Sequence, residues 1–214
     1  MGTRLDREQV VDTALELLNE VGLEGLTLRR IGQELDVRAP ALYWHFKNKR
    51  DLLDAMATEM LRRMSRAEEF EALLRMTDWR DALAGFHRAL RRALLSYRDG
   101  AKVYSGTRFT DNSYAETMQV SLRVLVEEGF PPGAAARAFY TVYCYTIGYV
   151  IEEQSTTGHP EQGVEGIDLA ERERRLADYP LAVAAGPELF GDPEAGFEAG
   201  LRAVIAGVEA AVPR

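Results

Sequence analysis

At 214 residues and 46% hydrophobic content, the chain is long enough for one large domain or two small ones with a core of their own. A single cysteine, Cys144, excludes an intrachain disulfide framework, and His45, His87 and His159 lack the spacing of a structural zinc site. The net charge of −8 leaves a polyanion to be met only where cations are concentrated, and no apolar run reaches the roughly 18 residues of a membrane span, so a reducing, cytoplasmic setting without a membrane partner is expected.

Between Asp6 and Val21, apolar residues at Val10, Val11, Ala14, Leu15, Leu17, Leu18 and Val21 make the stripe of an amphipathic helix that Gly22 ends. A short helix follows, capped by Thr27, with Ile31 and Leu35 four apart on its inner face. Asp36-Val37-Arg38 supplies a tight turn, and Asp tolerates the left-handed backbone such a turn uses. Pro40 suits the first turn of a next helix of about seven residues, with Leu42 and Phe46 inward and Tyr43, Trp44 and His45 outward. This is the pattern of a helix-turn-helix. Residues 27–50 hold six cations against two carboxylates, a local charge of +4 in an acidic chain. Rings beside cations suit DNA, since rings meet thymine methyls and cations meet phosphates. The blander alternative packs Tyr43 and Trp44 under the next helix.

Residues 51–75 have no Pro or Gly and are expected to form one connecting helix between a head, residues 1–50, and a body, residues 51–214. Helical spacing continues over 79–97, in a very short piece between Gly100 and Gly106, and over 113–128 with Asn112 or Ser113 as cap. Residues 133–154 are apolar nearly all round, which predicts a helix buried on most sides. Gly, Pro and acidic residues mark 156–192 as a loop with one short helix, capped by Asp168, over 169–177. In the last helix, opened by Asp192-Pro193, Phe197, Leu201, Val204, Ile205, Val208 and Val212 form a stripe. Gly196, Gly200 and Gly207 leave its backbone bare enough for a close neighbour. The fold class is all-α.

The stretches ELLNEVGLEGLTLRRIGQEL and APALYWHFKNKRDLLDA, with RRALLSYRDGAKVYSGTR, TIGYVIEEQ and FEAGLRAVIAGVE downstream, resemble the TetR family of bacterial repressors, the tetracycline repressors especially. The resemblance implies a homodimer through helices 133–154 and 193–211, a palindromic double-stranded DNA operator and a small-molecule inducer. It implies that Arg29 reads a guanine, that Pro40 and Tyr43 face thymine, and that His45 and Lys49 make backbone and flanking contacts, with Thr27, Arg38, Ala39 and Trp44 on the same surface. Ala39 and Ala41 replace a glutamine and a threonine of those repressors, and Arg38 an acidic residue, so a different operator is expected.

The resemblance places ligand contacts at Ser65, Phe86, Leu90, Tyr104, Thr107, Arg108 and Glu152; the rings Phe86, Tyr104, Phe109, Phe139, Tyr143 and Tyr149 suggest an aromatic, largely apolar cavity, with Ser121 expected beside it. Tetracycline repressors hold a drug–magnesium chelate with a histidine where this chain has Tyr104, and with further polar groups where it has Ser65 and Phe86. A neutral phenol is a poor magnesium ligand. No cofactor is therefore expected, and the inducer should be apolar or aromatic. Two readings compete: a helical sensor or adaptor that does not bind DNA, and a true tetracycline–magnesium repressor. An enzyme is disfavoured because no nucleophile–base pair, metal cluster or phosphate loop is present.

Overall fold

The computed structural model describes residues 5–73, 75–158 and 165–211, which form thirteen helices and no strand. His159 and Val212, named above, lie outside the described residues. Helix α1, Arg7–Gly25, is capped by the Asp6 carboxylate and turns sharply at Gly22, whose φ of 67° is a left-handed conformation suited to glycine. Thr27 caps α2, Leu28–Glu34, by accepting from the Arg30 N–H at 3.1 Å, and Asp36 carries the turn at φ 51°. Leu26, Ile31, Leu42 and Phe46 are fully buried and join α1 to the pair α2–α3. Fully burying each such side chain contributes about 1.5–3 kcal/mol.

Helix α3 is shorter than its sequence suggests, covering only Ala39–Leu42. Tyr43 to His45 continue as turns, with the His45 and Phe46 N–H groups both on the Leu42 carbonyl at 2.9 Å. Phe46 must turn into the core at once, and Arg7 holds that geometry by donating to the His45 carbonyl at 2.8 Å while lying over the Phe46 ring.

The connecting helix also differs from expectation. Helix α4 spans Lys49–Arg66, capped by Asn48; Ala67 is extended, and α5, Glu68–Leu73, turns back onto α6, Trp79–Leu95, where Phe70 meets Phe86 edge-on at 6.3 Å. Short α7, Gly100–Tyr104, and α8, Ser113–Glu127, follow. Asn112 stands at the cap position of α8 without a side-chain cap bond, and Asp111 accepts from the Ser113 N–H at 2.8 Å instead.

Helix α9, Pro132–Thr156, packs on α6 and on the last helix, α13, Pro193–Ala211. In the single chain α9 is not buried on most sides: Ala136, Tyr140, Cys144, Gly148 and Glu152, spaced four apart, are exposed. On α13 the exposed side carries Ala195, Ala199, Ala203, Ala206 and Ala210. The bareness of α13 is used inside the chain. Tyr149 Oη donates to the Pro193 carbonyl and Tyr145 Oη to the Phe197 carbonyl, both at 2.9 Å, and a Cβ at Gly196 or Gly200 would lie 2.4 or 2.2 Å from those hydroxyls. Arg91 of α6 ties both helices by a buried, bidentate pair with Glu153, at 2.7 and 2.9 Å, and by a bond to Glu194. Burial opposes its charge, but the hydrogen bonds to Glu153 and Glu194 outweigh this and hold the guanidinium above its ordinary pKa. Between α9 and α13 the expected loop holds three short helices, α10 at Leu169–Arg175, α11 at Pro180–Ala184 and α12 at Gly186–Phe190. Pro180 and Pro187 sit in first turns, where the missing N–H costs nothing, and there a proline-rich composition hides helix.

Candidate DNA-reading surface and ligand cavity

The turn after α3 presents Trp44 at 90% and Tyr43 at 57% exposure, so neither ring packs under α4. Arg29, Arg30, Arg38, Pro40 and Lys47 are exposed around them, and His45 is half-buried. Not all six cations share this surface. Lys49 Nζ donates to the Leu23 carbonyl at 2.8 Å, and Arg50 pairs with Asp54 at 3.1 Å and donates to the Gly106 carbonyl. Both side chains are thereby turned to the chain itself, whereas Arg29, Arg30, Arg38 and Lys47 make no ion pair among the described residues. Ala39 opens α3.

In the body a cavity of about 220 Å3 opens among α4, α6, α7, α8 and α9, walled by Leu61, Phe86, Tyr104, Phe109, Tyr114, Thr117, Met118, Phe139, Tyr140 and Tyr143. Seven of these ten side chains are aromatic and none is charged. Phe109 meets Tyr104 edge-on at 5.4 Å and stacks on Tyr114 at 5.5 Å, while Phe86 lies 5.3 Å from Phe139. Burial, with the neighbouring Tyr143, pushes the Tyr104 phenol far above its ordinary pKa, and burial pushes Tyr143 up to about 12. Both are neutral donors at physiological pH.

Of the residues expected to hold a ligand or line its cavity, the wall brings together Phe86, Tyr104, Phe109, Phe139 and Tyr143, whereas Tyr149 lines a separate cleft. Ser65 turns back to donate to the Arg62 carbonyl at 3.0 Å, and Thr107 does the same to Val103 at 3.0 Å. Leu90 is core, and Ser121 is buried outside the wall. Arg108 is exposed, its N–H held by Asp54 at 3.1 Å, and Glu152 lies on the exposed side of α9 beside a separate cleft with Tyr145, Tyr149 and Leu189. Tyr114, Thr117 and Met118 were missed, although their i, i+3, i+4 spacing puts them on one face of α8. Next to the wall, His87 is fully buried: Nδ1 donates to the Leu83 carbonyl at 2.7 Å, Nε2 has no partner among the described residues, and burial lowers its pKa to about 4.

A short route through α7 joins cavity and head. Tyr104 ends α7, and Asp99 opens it with φ 56°. Asp99 Oδ2 accepts from the Leu23 N–H at 3.0 Å, beside the Gly22 bend of α1, while Asn19 Oδ1 accepts from the Arg98 N–H at 2.8 Å. Burial acts to raise the Asp99 pKa, but the Leu23 N–H and Lys102 overcome it and hold the carboxylate below its usual range. Along α4, Thr58 accepts from the Thr110 N–H at 3.0 Å, and Arg62 pairs with Asp111.

Residues 10–56 match the description "Bacterial regulatory proteins, tetR family", and residues 74–212 match "Tetracyclin repressor-like, C-terminal domain". The chain belongs to the TetR family. Among TetR-family relatives it is 42% identical over 206 residues to tetracycline repressor protein class C of Escherichia coli, covering 96% of this chain and 91% of that one. A possible TetR-family transcriptional regulator from Streptomyces coelicolor A3(2) superposes with a TM-score of 0.81 at 41% identity, over 96% of this chain and 99% of the other. BioQ, solved with its double-stranded DNA operator, superposes with a TM-score of 0.65 at 29% identity, over 97% and 99%. The TetR-family head thus coincides with the exposed Tyr43–Trp44 turn, and its C-terminal domain with the helices that enclose the cavity.

Proposed function

We propose that this protein is a ligand-responsive transcriptional repressor, a homodimer that binds a palindromic operator through α2 and α3 and is released by a neutral aromatic inducer. The observation that carries this is the route from cavity to head: the helix that ends at Tyr104 in the wall begins at Asp99, which holds Leu23 of the DNA-reading unit. Two copies related by a two-fold axis offer two such units to half-sites about 34–36 Å apart. An inducer that moves Tyr104 shifts α7 and tilts the head, and it needs to prefer the shifted state by only a few kcal/mol. The exposed side of α9 and the alanine-lined exposed side of α13 support a dimer contact there. Operator binding places its work in the cytoplasm, and regulation without catalysis accounts for it.

Magnesium does not fit this cavity. Mg²⁺ takes carboxylate, phosphate and water oxygens, whereas the wall offers apolar rings and protonated phenols. Among the described residues no cluster of three His, Cys, Asp or Glu side chains forms. The test is fluorescence anisotropy on an operator selected from random duplexes. Aromatic compounds should release the protein in EDTA; tight release by tetracycline that requires Mg²⁺ would overturn the assignment.

A further inference from the structure

The α4–α6 pair borders a second cavity, of about 270 Å3, lined by Met60, Met64, Phe70, Ala89, Ala93 and Tyr97, none of which lines the first. On α4, Leu61 faces the aromatic cavity while Met60 and Met64 face this one; at roughly 100° per residue, neighbouring positions lie on separate faces of a helix. On α6, Ala89 and Ala93, one turn apart, leave room opposite the two methionines, whose flexible side chains adapt to the shape of an occupant. The helix break at Ala67 opens the upper side, where α5 carries Phe70.

At the rim Arg63 is already matched. Its Nη2 pairs with Asp12 at 2.6 Å, Nε with Glu59 at 3.2 Å, and Nη1 donates to Tyr97 Oη at 3.3 Å; Arg92 has an interaction of its own. We propose that this cavity is a binding site for a small neutral molecule of one or two aromatic rings, distinct from the inducer cavity. Because Arg63 at its rim holds Asp12 of α1, the site adjoins a contact between body and head.

Bromobenzene, neutral and visible by anomalous diffraction, tests this in crystals of the full-length protein. Bromine is expected among Met60, Met64 and Phe70, at an occupancy at least matching that in the aromatic cavity. Ala93→Trp, or Ala89→Leu if the former fails to fold, should abolish that peak and leave the other. A soak that fills only the aromatic cavity, or a peak that persists in the filled variant, overturns the proposal. A peak here with the aromatic cavity empty upholds it and counts instead against the inducer assignment above. In solution, isothermal titration should give two sites per chain and one in Ala93→Trp; binding at crystal concentration only would also overturn it.

Discussion

Single side chains divide the labour at the DNA surface. A guanidinium that binds guanine O6 and N7 together discriminates between bases, whereas a cation on phosphate does not. Arg29→Ala should weaken specific operator binding by about 1–3 kcal/mol and leave random duplex nearly unaffected. Lys47→Ala should weaken both alike and lower the salt slope by about one, as read from anisotropy titrations at several salt concentrations. If the two variants behave identically on specific and random DNA, these roles are misassigned. Lys49, which the resemblance offers as a flanking contact, donates to the Leu23 carbonyl, a partner 26 residues away that no local pattern reveals. Inside the body His87 has a folded pKa of about 4 against 6.5 when exposed. The unfolded chain therefore binds more protons between those values, so stability is full above about pH 6.5 and is lost as pH falls toward 4, by about 3 kcal/mol. Urea unfolding of His87→Phe should show a shallower loss across that window; an unchanged slope would exclude this histidine as the cause.

At the scale of elements, periodicity made α1 and α6 legible, and Thr27 and Asp192, which each cap the helix that follows them, marked α2 and α13. The early end of α3 and the break at Ala67 were not legible. Phe46 and Phe70 sit at helical spacing in the sequence, and only their tertiary partners, Arg7 over one and Phe86 against the other, show where the chain turns. The cavity was half legible: the rings at 86, 104, 109, 139 and 143 were marked in the sequence, but Tyr149 lines another cleft, and Thr107, Arg108 and Glu152 have their side chains elsewhere. The Asp99 contact, across 76 residues, is the element-scale device most open to test. Asp99→Gly keeps the left-handed backbone at φ 56° without strain while removing the carboxylate. Losing that bond should cost about 1–2 kcal/mol. Inducer affinity should stay the same while operator release becomes incomplete. Loss of inducer affinity and full release in proportion would show that Asp99 merely supports the cavity.

For the whole molecule, composition and charge were enough to place a basic head on an acidic body, but they could not show which sides of α9 and α13 are left open to a second copy. On α13 the exposed alanines mark such a side. Ala203→Glu puts a carboxylate on that side, where a like residue of the partner would meet it near the two-fold axis. Sedimentation should show monomers of unchanged helical content that retain weak random-duplex binding and lose the palindrome. A dimer of native affinity would move the interface elsewhere. The glycine notches under Tyr145 and Tyr149 bear on how such a dimer works. Sliding α13 by one position in either direction would bring a Cβ beneath a phenol, so α9 and α13 cannot shear past each other without breaking both hydroxyl bonds. The paired scaffold is therefore a fixed fulcrum: any stroke begun at Tyr104 must travel outward along α7 and α4 to the heads, because the centre of the lever does not yield.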